Sequence, residues 1–183
     1  GMTTRALDPR RLDVAAAAAA GADVSGRWPV SDLPRLADGS AGEVDEPVSW
    51  SAGFEQRREL GAAPQPWLRL QAQARVARQC QRCLQPVLLS LDVDRAFRFV
   101  PTEDEAAALD ADSEEDVLVL SRHFDLRELV EDELLLTLPI VPMHDDCPAP
   151  LVATALPEEP ASDDAAPVHP FAALAAWKRG TEP

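Results

Sequence analysis

An α+β fold is what this sequence predicts: an antiparallel, curved sheet or open barrel with a few helices, a flexible acidic loop and a C-terminal tail. Three observations lead there. Two long stretches alternate apolar and polar residues and adjoin through a short turn. A single well-capped helical stretch comes later, and no helix-length segment separates the long strands, as parallel crossovers would require.

The elements follow in chain order. From Leu7 to Leu36 an alanine run favours helix but meets Gly21, Gly26, Pro29 and Pro34, so residues 1–43 read as a short helix and an irregular arm, packed on the sheet through Trp28, Leu33 and Leu36. Gly1 ahead of Met2 reads as a tag remnant. In "EPVSWSAGFEQRREL" the residues Val48, Trp50, Ala52 and Phe54 have the period of a half-buried strand. The clearest strand is "WLRLQAQARVARQC", with Leu68, Leu70, Ala72, Ala74 and Val76 on one face and Arg69, Gln71, Gln73 and Arg75 on the other. "VLLSLDVDRAFRFV" repeats the alternation through Val87, Leu89, Leu91, Val93, Phe97 and Phe99. Arg95 falls in its apolar phase, which points to a bulge. Eight acids without a base between Pro101 and Asp116 predict a solvated loop, followed by a short strand, Val117 to Leu120. Asp125 with Glu128 three residues on makes a capping box for a helix whose stripe is Leu126, Leu129, Val130, Glu133, Leu134 and Thr137, with Glu131 and Asp132 on the opposite face and Pro139 as its stop. The core is therefore expected over 44–148. Residues 149–183 read as a Pro, Ala and acid-rich linker ending in a helix with Phe171, Leu174 and Trp177 at helical spacing, which either packs back on the chain's own sheet or docks in an apolar groove of a partner.

The chain has 183 residues and a formal net charge of −15, which opposes non-specific binding to nucleic acid. That charge is unevenly spread: residues 55–100 carry +4 and residues 101–146 carry −13. Arginine supplies every base in the positive segment, and Arg75, Arg78 and Arg82 are candidates for RNA contact. The plainer reading is a composition that uses 16 arginines and one lysine to fill polar strand positions. No stretch has the apolar length of a membrane span, and a cytoplasmic protein with reduced thiols is expected.

"RQCQRCLQPV" places Cys80 and Cys83 on one turn between the two long strands, and "PIVPMHDDCP" places His144 and Cys147 at the same separation. Two such half-sites can complete a tetrahedral Cys3His zinc site, provided the fold brings together segments about sixty residues apart. Redox chemistry calls for a helix N-terminus after the pair, and here a proline and a strand follow; inert packing thiols are the remaining reading. The acids of "VEDE", Val130 to Glu133, fan around a helix too widely to converge on one Mg²⁺ and read as a solvated face. Walker, GxGxxG and local triad signatures are absent, so no enzyme is expected.

The order "CQRCLQPV", an acidic stretch, "LVEDELLLTLPIVPMHDDC" and "HPFAALAAWK", preceded by "LDPRRL" and "GRWPVSDLPRL", resembles the YceD family, the large ribosomal RNA subunit accumulation proteins of bacteria and plastids. The resemblance implies a role in accumulation of 23S rRNA and maturation of the 50S subunit, with no catalytic activity assigned. It places Cys80, Cys83, His144 and Cys147 among the functional or structural positions. Many relatives have cysteine pairs in both places, so a four-thiolate set does not carry over to His144 and Cys147. Three functions follow in order of preference: a non-catalytic assembly factor acting on ribosomal proteins or 50S intermediates, a zinc-stabilised module binding precursor rRNA, and an RNA-processing hydrolase. The acidic surface favours contact with cationic ribosomal proteins, which speeds encounter and weakens with salt.

Overall fold

The computed structural model describes residues 7–111 and 114–148. The chain divides into two compact units, Gly1–Pro148 and Ala149–Pro183, and every described residue belongs to the first. Its elements are α1 (Val14–Ala20), β1 (Asp23–Trp28), α2 (Pro34–Ala37), β2 (Val48–Arg57), β3 (Gln65–Gln79), β4 (Pro86–Val100), α3 (Glu103–Asp110), β5 (Asp116–Val119) and α4 (Leu126–Thr137), with a 3-10 turn at Val30–Asp32. The strands lie in the order β1-β2-β3-β4-β5 as one open sheet. The first four form an antiparallel meander, and β5 joins β4 in parallel after the α3 crossover. The fold is α+β, as the alternating strands and short turns predict.

Alternation decides which face is buried. Val48, Trp50, Ala52 and Phe54 of β2, Leu68 to Val76 in steps of two on β3, and Leu91, Val93, Phe97 and Phe99 of β4 form a single apolar cluster with Val14, Ala17 and Ala18 of α1, Leu36 of α2, and Leu126, Leu129, Val130 and Leu134 of α4. The other face of the sheet stays polar, with Ser49, Gln71, Gln73, Arg75, Asp92 and Asp94 exposed. At one end of that face Trp67 is sandwiched by guanidinium groups: those of Arg57 and Arg98 stand 4.1 and 5.2 Å from the ring centroid.

Four local features differ from the sequence expectation. The stretch expected as an irregular arm contributes β1, paired with β2 along its whole length. Its alternation is masked because Gly26 stands in the inward phase, where a Cβ would come within 2.9 Å of the Trp50 ring; that ring is stacked on Trp28 at 4.4 Å. No bulge occurs at Arg95, and the β3–β4 register runs unbroken from Trp67↔Arg98 to Gln79↔Pro86. Arg95 keeps its inward phase because Glu133 of α4 and Asp116 of β5 supply counter-charge. The acidic stretch carries α3, whose N-cap Thr102 accepts from the Glu105 N–H and whose first turn holds Glu103, Asp104 and Glu105. Acids there favour the positive end of the helix dipole, which outweighs their mutual repulsion.

The fourth difference concerns α4. Its start is as expected, with Asp125 accepting from the Glu128 N–H. Glu131, however, is buried rather than solvated: its carboxylate accepts from the Arg35 and Leu36 N–H groups at 2.9 and 3.3 Å and from Arg35 Nε at 2.9 Å. It caps α2, the amides of whose first turn have no partner within so short a helix. The segment before α1 pairs with the segment before α4 through Leu12 and Phe124, whose N–H groups each donate to the other's carbonyl.

Candidate metal centre

The β3–β4 hairpin ends in a tight turn closed by two backbone bonds, Cys80 N–H to the Gln85 carbonyl and Leu84 N–H to the Cys80 carbonyl, each 2.9 Å. Leu84 is the one non-glycine residue with positive φ among the described residues, at 62°. This backbone reversal after the second cysteine turns both thiols to the same side. Beyond α4, Pro139 ends the helical path and the chain returns to the hairpin, where the Gln81 N–H donates to the Pro142 carbonyl at 2.9 Å. That bond sets His144 and Cys147 beside the turn.

The two half-sites meet. Ligand atoms of Cys80, Cys83, His144 and Cys147 all lie within 4.8 Å of one another. Cys80 Sγ is 4.0 Å from Cys147 Sγ, and Cys83 Sγ is 3.3 Å from His144 Nδ1. Thiolates about 2.3 Å from a tetrahedral zinc stand roughly 3.8 Å apart, so a set of atoms within 4.8 Å of one another closes on such an ion with shifts of no more than about an ångström. His144 Nε2 lies 2.9 Å from the Pro86 carbonyl, which can only accept; the ring therefore carries its proton on Nε2 and leaves Nδ1 free as a donor atom for a metal.

The electrostatics suit a cation. Burial disfavours the Cys80 thiolate, but the N–H groups of Cys83, His144 and Arg82 aim at the sulfur and bring its pKa down to about 5. Burial and the neighbouring Cys83 and Cys80 sulfurs push Cys147 up to about 11. Cys80 thus holds a thiolate readily while Cys147 resists becoming one; a divalent ion removes that resistance by supplying the missing positive charge.

The arginine candidates are not gathered in one surface. Arg75 lies on the exposed face of β3 and pairs with Glu46 at 3.1 Å. Arg78, three residues on, points to the opposite face and is buried, donating to the Leu36 carbonyl at 2.6 Å and the Ala77 carbonyl at 3.2 Å. Arg82 is exposed in the thiol turn. Phe171, Leu174 and Trp177 lie outside the described residues. The acids of "VEDE" do not converge: Glu131 and Glu133 are buried and pair with Arg35 and Arg95, while Asp132 stays half-exposed and also pairs with Arg35. Sequence reading misses Leu84 and the Pro86 carbonyl. Leu84 has a signal in its place directly after the second cysteine, whereas a backbone carbonyl carries none.

No helix among the described residues is long and apolar enough to cross a membrane. The model of one protein family, described as "Large ribosomal RNA subunit accumulation protein YceD", matches residues 68–178, from β3 through both half-sites. A protein of that name from Haemophilus influenzae is 36% identical over 106 residues, covering 55% of this chain and 59% of the relative. The chain thus spans somewhat more than half the length of the relative it matches. No solved structure matches. With the match taking in most of the sheet, α4 and all four candidate ligands, this chain belongs to the YceD family of large ribosomal RNA subunit accumulation proteins.

Proposed function

We propose that this chain is a non-catalytic factor for 23S rRNA accumulation and 50S subunit biogenesis, working in the cytoplasm through contacts with ribosomal proteins or assembly intermediates. The observation that carries the reading is the family match over the residues that build both half-sites and the helix between them. The net charge of −15 supports cationic protein partners over naked RNA. Affinity-tagged chain is expected to co-purify large-subunit proteins or precursors, more weakly as salt rises, and its depletion is expected to lower 23S relative to 16S rRNA. An unchanged rRNA ratio together with an empty pull-down overturns the reading.

Zinc is the ion we assign to Cys80, Cys83, His144 and Cys147. It would supply a cross-link between the hairpin and the segment after α4, with all four protein ligands used and no position left for a substrate, the pattern of a structural rather than a catalytic site. Metal analysis of the purified chain should give one equivalent, and a chain isolated with intact thiols and no metal would refute the assignment.

A second reading, direct contact with precursor rRNA, draws on the exposure of Arg75 and Arg82. Joint Arg75→Glu and Arg82→Glu substitution tests it in a gel-shift assay. Arg78 is left out because it is buried in the fold. Phe171, Leu174 and Trp177 remain candidates for a partner-recognition helix: removal of residues 170–183 that spares the melting curve and abolishes the pull-down supports them.

A further inference from the structure

Among the described residues, eight large apolar side chains are exposed, and six of them fall in two short stretches, 84–88 and 136–143. Ile140 is fully exposed, Leu136 is 74% exposed, and Leu84 at the tip of the thiol turn is 60% exposed; Val141 and Met143 complete the strip. Frayed chain does not account for this exposure. The strip is pinned by the bond from the Gln81 N–H to the Pro142 carbonyl, by the His144 N–H directed at Cys80 Sγ, and by Thr137 donating to the Leu134 carbonyl. Among the described residues most other large apolar side chains belong to one core cluster, so ordered apolar side chains in two exposed stretches that the Gln81–Pro142 bond holds together mark a surface that meets a partner.

The charge around the strip selects the partner. From Glu128 to Pro148 there are six acids and no lysine or arginine. Glu131 and Glu133 are buried and paired with Arg35 and Arg95, Asp132 pairs with Arg35 at the half-exposed surface, and Glu128, Asp145 and Asp146 are exposed. Arg82 is the single base of the adjoining turn. Phosphates of RNA or an anionic membrane are repelled by this field, and so is a second copy of a chain that carries −15. A segment bearing both lysines or arginines and large apolar residues satisfies the acids and the strip together.

We propose that Leu84, Leu136, Ile140, Val141 and Met143 form a docking surface for a cationic polypeptide segment with apolar anchors. The proposal rests on the reading of the chain as a protein-binding assembly factor and names the surface and the partner chemistry that reading requires. Its probe is a synthetic amphipathic peptide of about eighteen leucines and lysines, with leucine at i, i+3, i+4 and i+7. A lysine–serine peptide of equal charge and a single-stranded RNA oligonucleotide serve as comparisons, and all are measured on the full chain by fluorescence anisotropy.

The leucine–lysine peptide is expected to bind about tenfold or more tighter than the lysine–serine peptide, and Leu136→Asp with Ile140→Asp should erase that difference. Both side chains point into solvent, so the melting temperature should hold; if it does not, Leu136→Ser with Ile140→Ser, measured on folded material, decides the same question. Equal binding of both peptides overturns the proposal, as does undiminished binding by the double variant. RNA binding that depends on the same two residues would reassign the surface to nucleic acid and also overturn it. Peptide binding that rises about tenfold on removal of residues 170–183 would identify the chain's own C-terminal segment as the occupant, which overturns it too. Association with large-subunit material that survives in the double variant sinks the docking surface alone, whereas a wild-type chain that captures no such material sinks the assembly reading and leaves the peptide result to decide the surface.

Discussion

Leu84 carries a backbone conformation that its side chain disfavours. At φ 62° a Cβ crowds the following carbonyl, at a cost of about 1–2 kcal/mol, in a turn whose two thiols lie beside His144 and Cys147. Leu84→Gly is expected to raise unfolding free energy by about 0.5–1 kcal/mol in denaturant titration, part of the gain being lost to the freer unfolded chain. Stability that stays level or falls would show the turn to be unstrained. Gly26 is the converse case, a residue defined by the space it leaves. A methyl at Gly26 would press on the Trp50 ring, which cannot retreat because Trp28 is stacked against it. Gly26→Ala should cost about 1–3 kcal/mol in the same titration. Neither role can be read from spacing alone: the thiol turn is legible from Cys80 and Cys83, but which residue absorbs the reversal depends on the closed geometry. Likewise, glycine in the inward phase of β1 reads as a break until the indole that fills its place is known.

The elements show the same division between periodic signals and paired ones. The inward faces of β2, β3 and β4 are legible because a period of two repeats over many residues, and α4 because a cap, an apolar stripe and a proline stop agree. What periodicity does not carry is a single buried charge whose partner lies far along the chain. Glu131, placed by its spacing on the face opposite the apolar stripe, reads as solvated until Arg35 and the first turn of α2 are set against it. Glu133 belongs to the same class: burial raises its pKa, while Arg95 pulls it down and Asp132 raises it further, with a net upward shift. A carboxyl whose pKa is higher folded than unfolded makes the folded state bind more protons in the window just above the ordinary glutamate range. Stability should therefore increase as pH falls through that window. Glu133→Gln is expected to flatten this part of the melting-temperature profile, and a profile unchanged by the substitution would show that Glu133 keeps an ordinary pKa. In α3 a run of acids reads from sequence as repulsion alone, and the hydroxyl of Thr102 with the helix dipole reverses the balance.

Across the whole described unit, the candidate metal site and the apolar core are separate. The core cluster joins α1, α2, α4 and the sheet, whereas the four candidate ligands lie outside that cluster at the hairpin end, Cys80 alone among them being fully buried. Chelation is therefore expected to lower the melting temperature of metal-loaded protein while leaving its far-UV circular dichroism that of a folded sheet, unlike small zinc domains that unfold without their ion. Global loss of structure on chelation would contradict this independence, and an unchanged melting temperature would show that the centre carries no stabilising ion. The pairing of Leu12 with Phe124, and of Arg35 with Glu131 across 96 residues, has a consequence for how the chain acquires its shape. The meander from β1 to β4 closes through neighbours in sequence, but the opening segment finds its place only after α4 has been synthesised. Emerging amino end first, the nascent polypeptide would hold a half-dressed sheet, its apolar side covered only by α1 and α2, until α4 arrives to seal it.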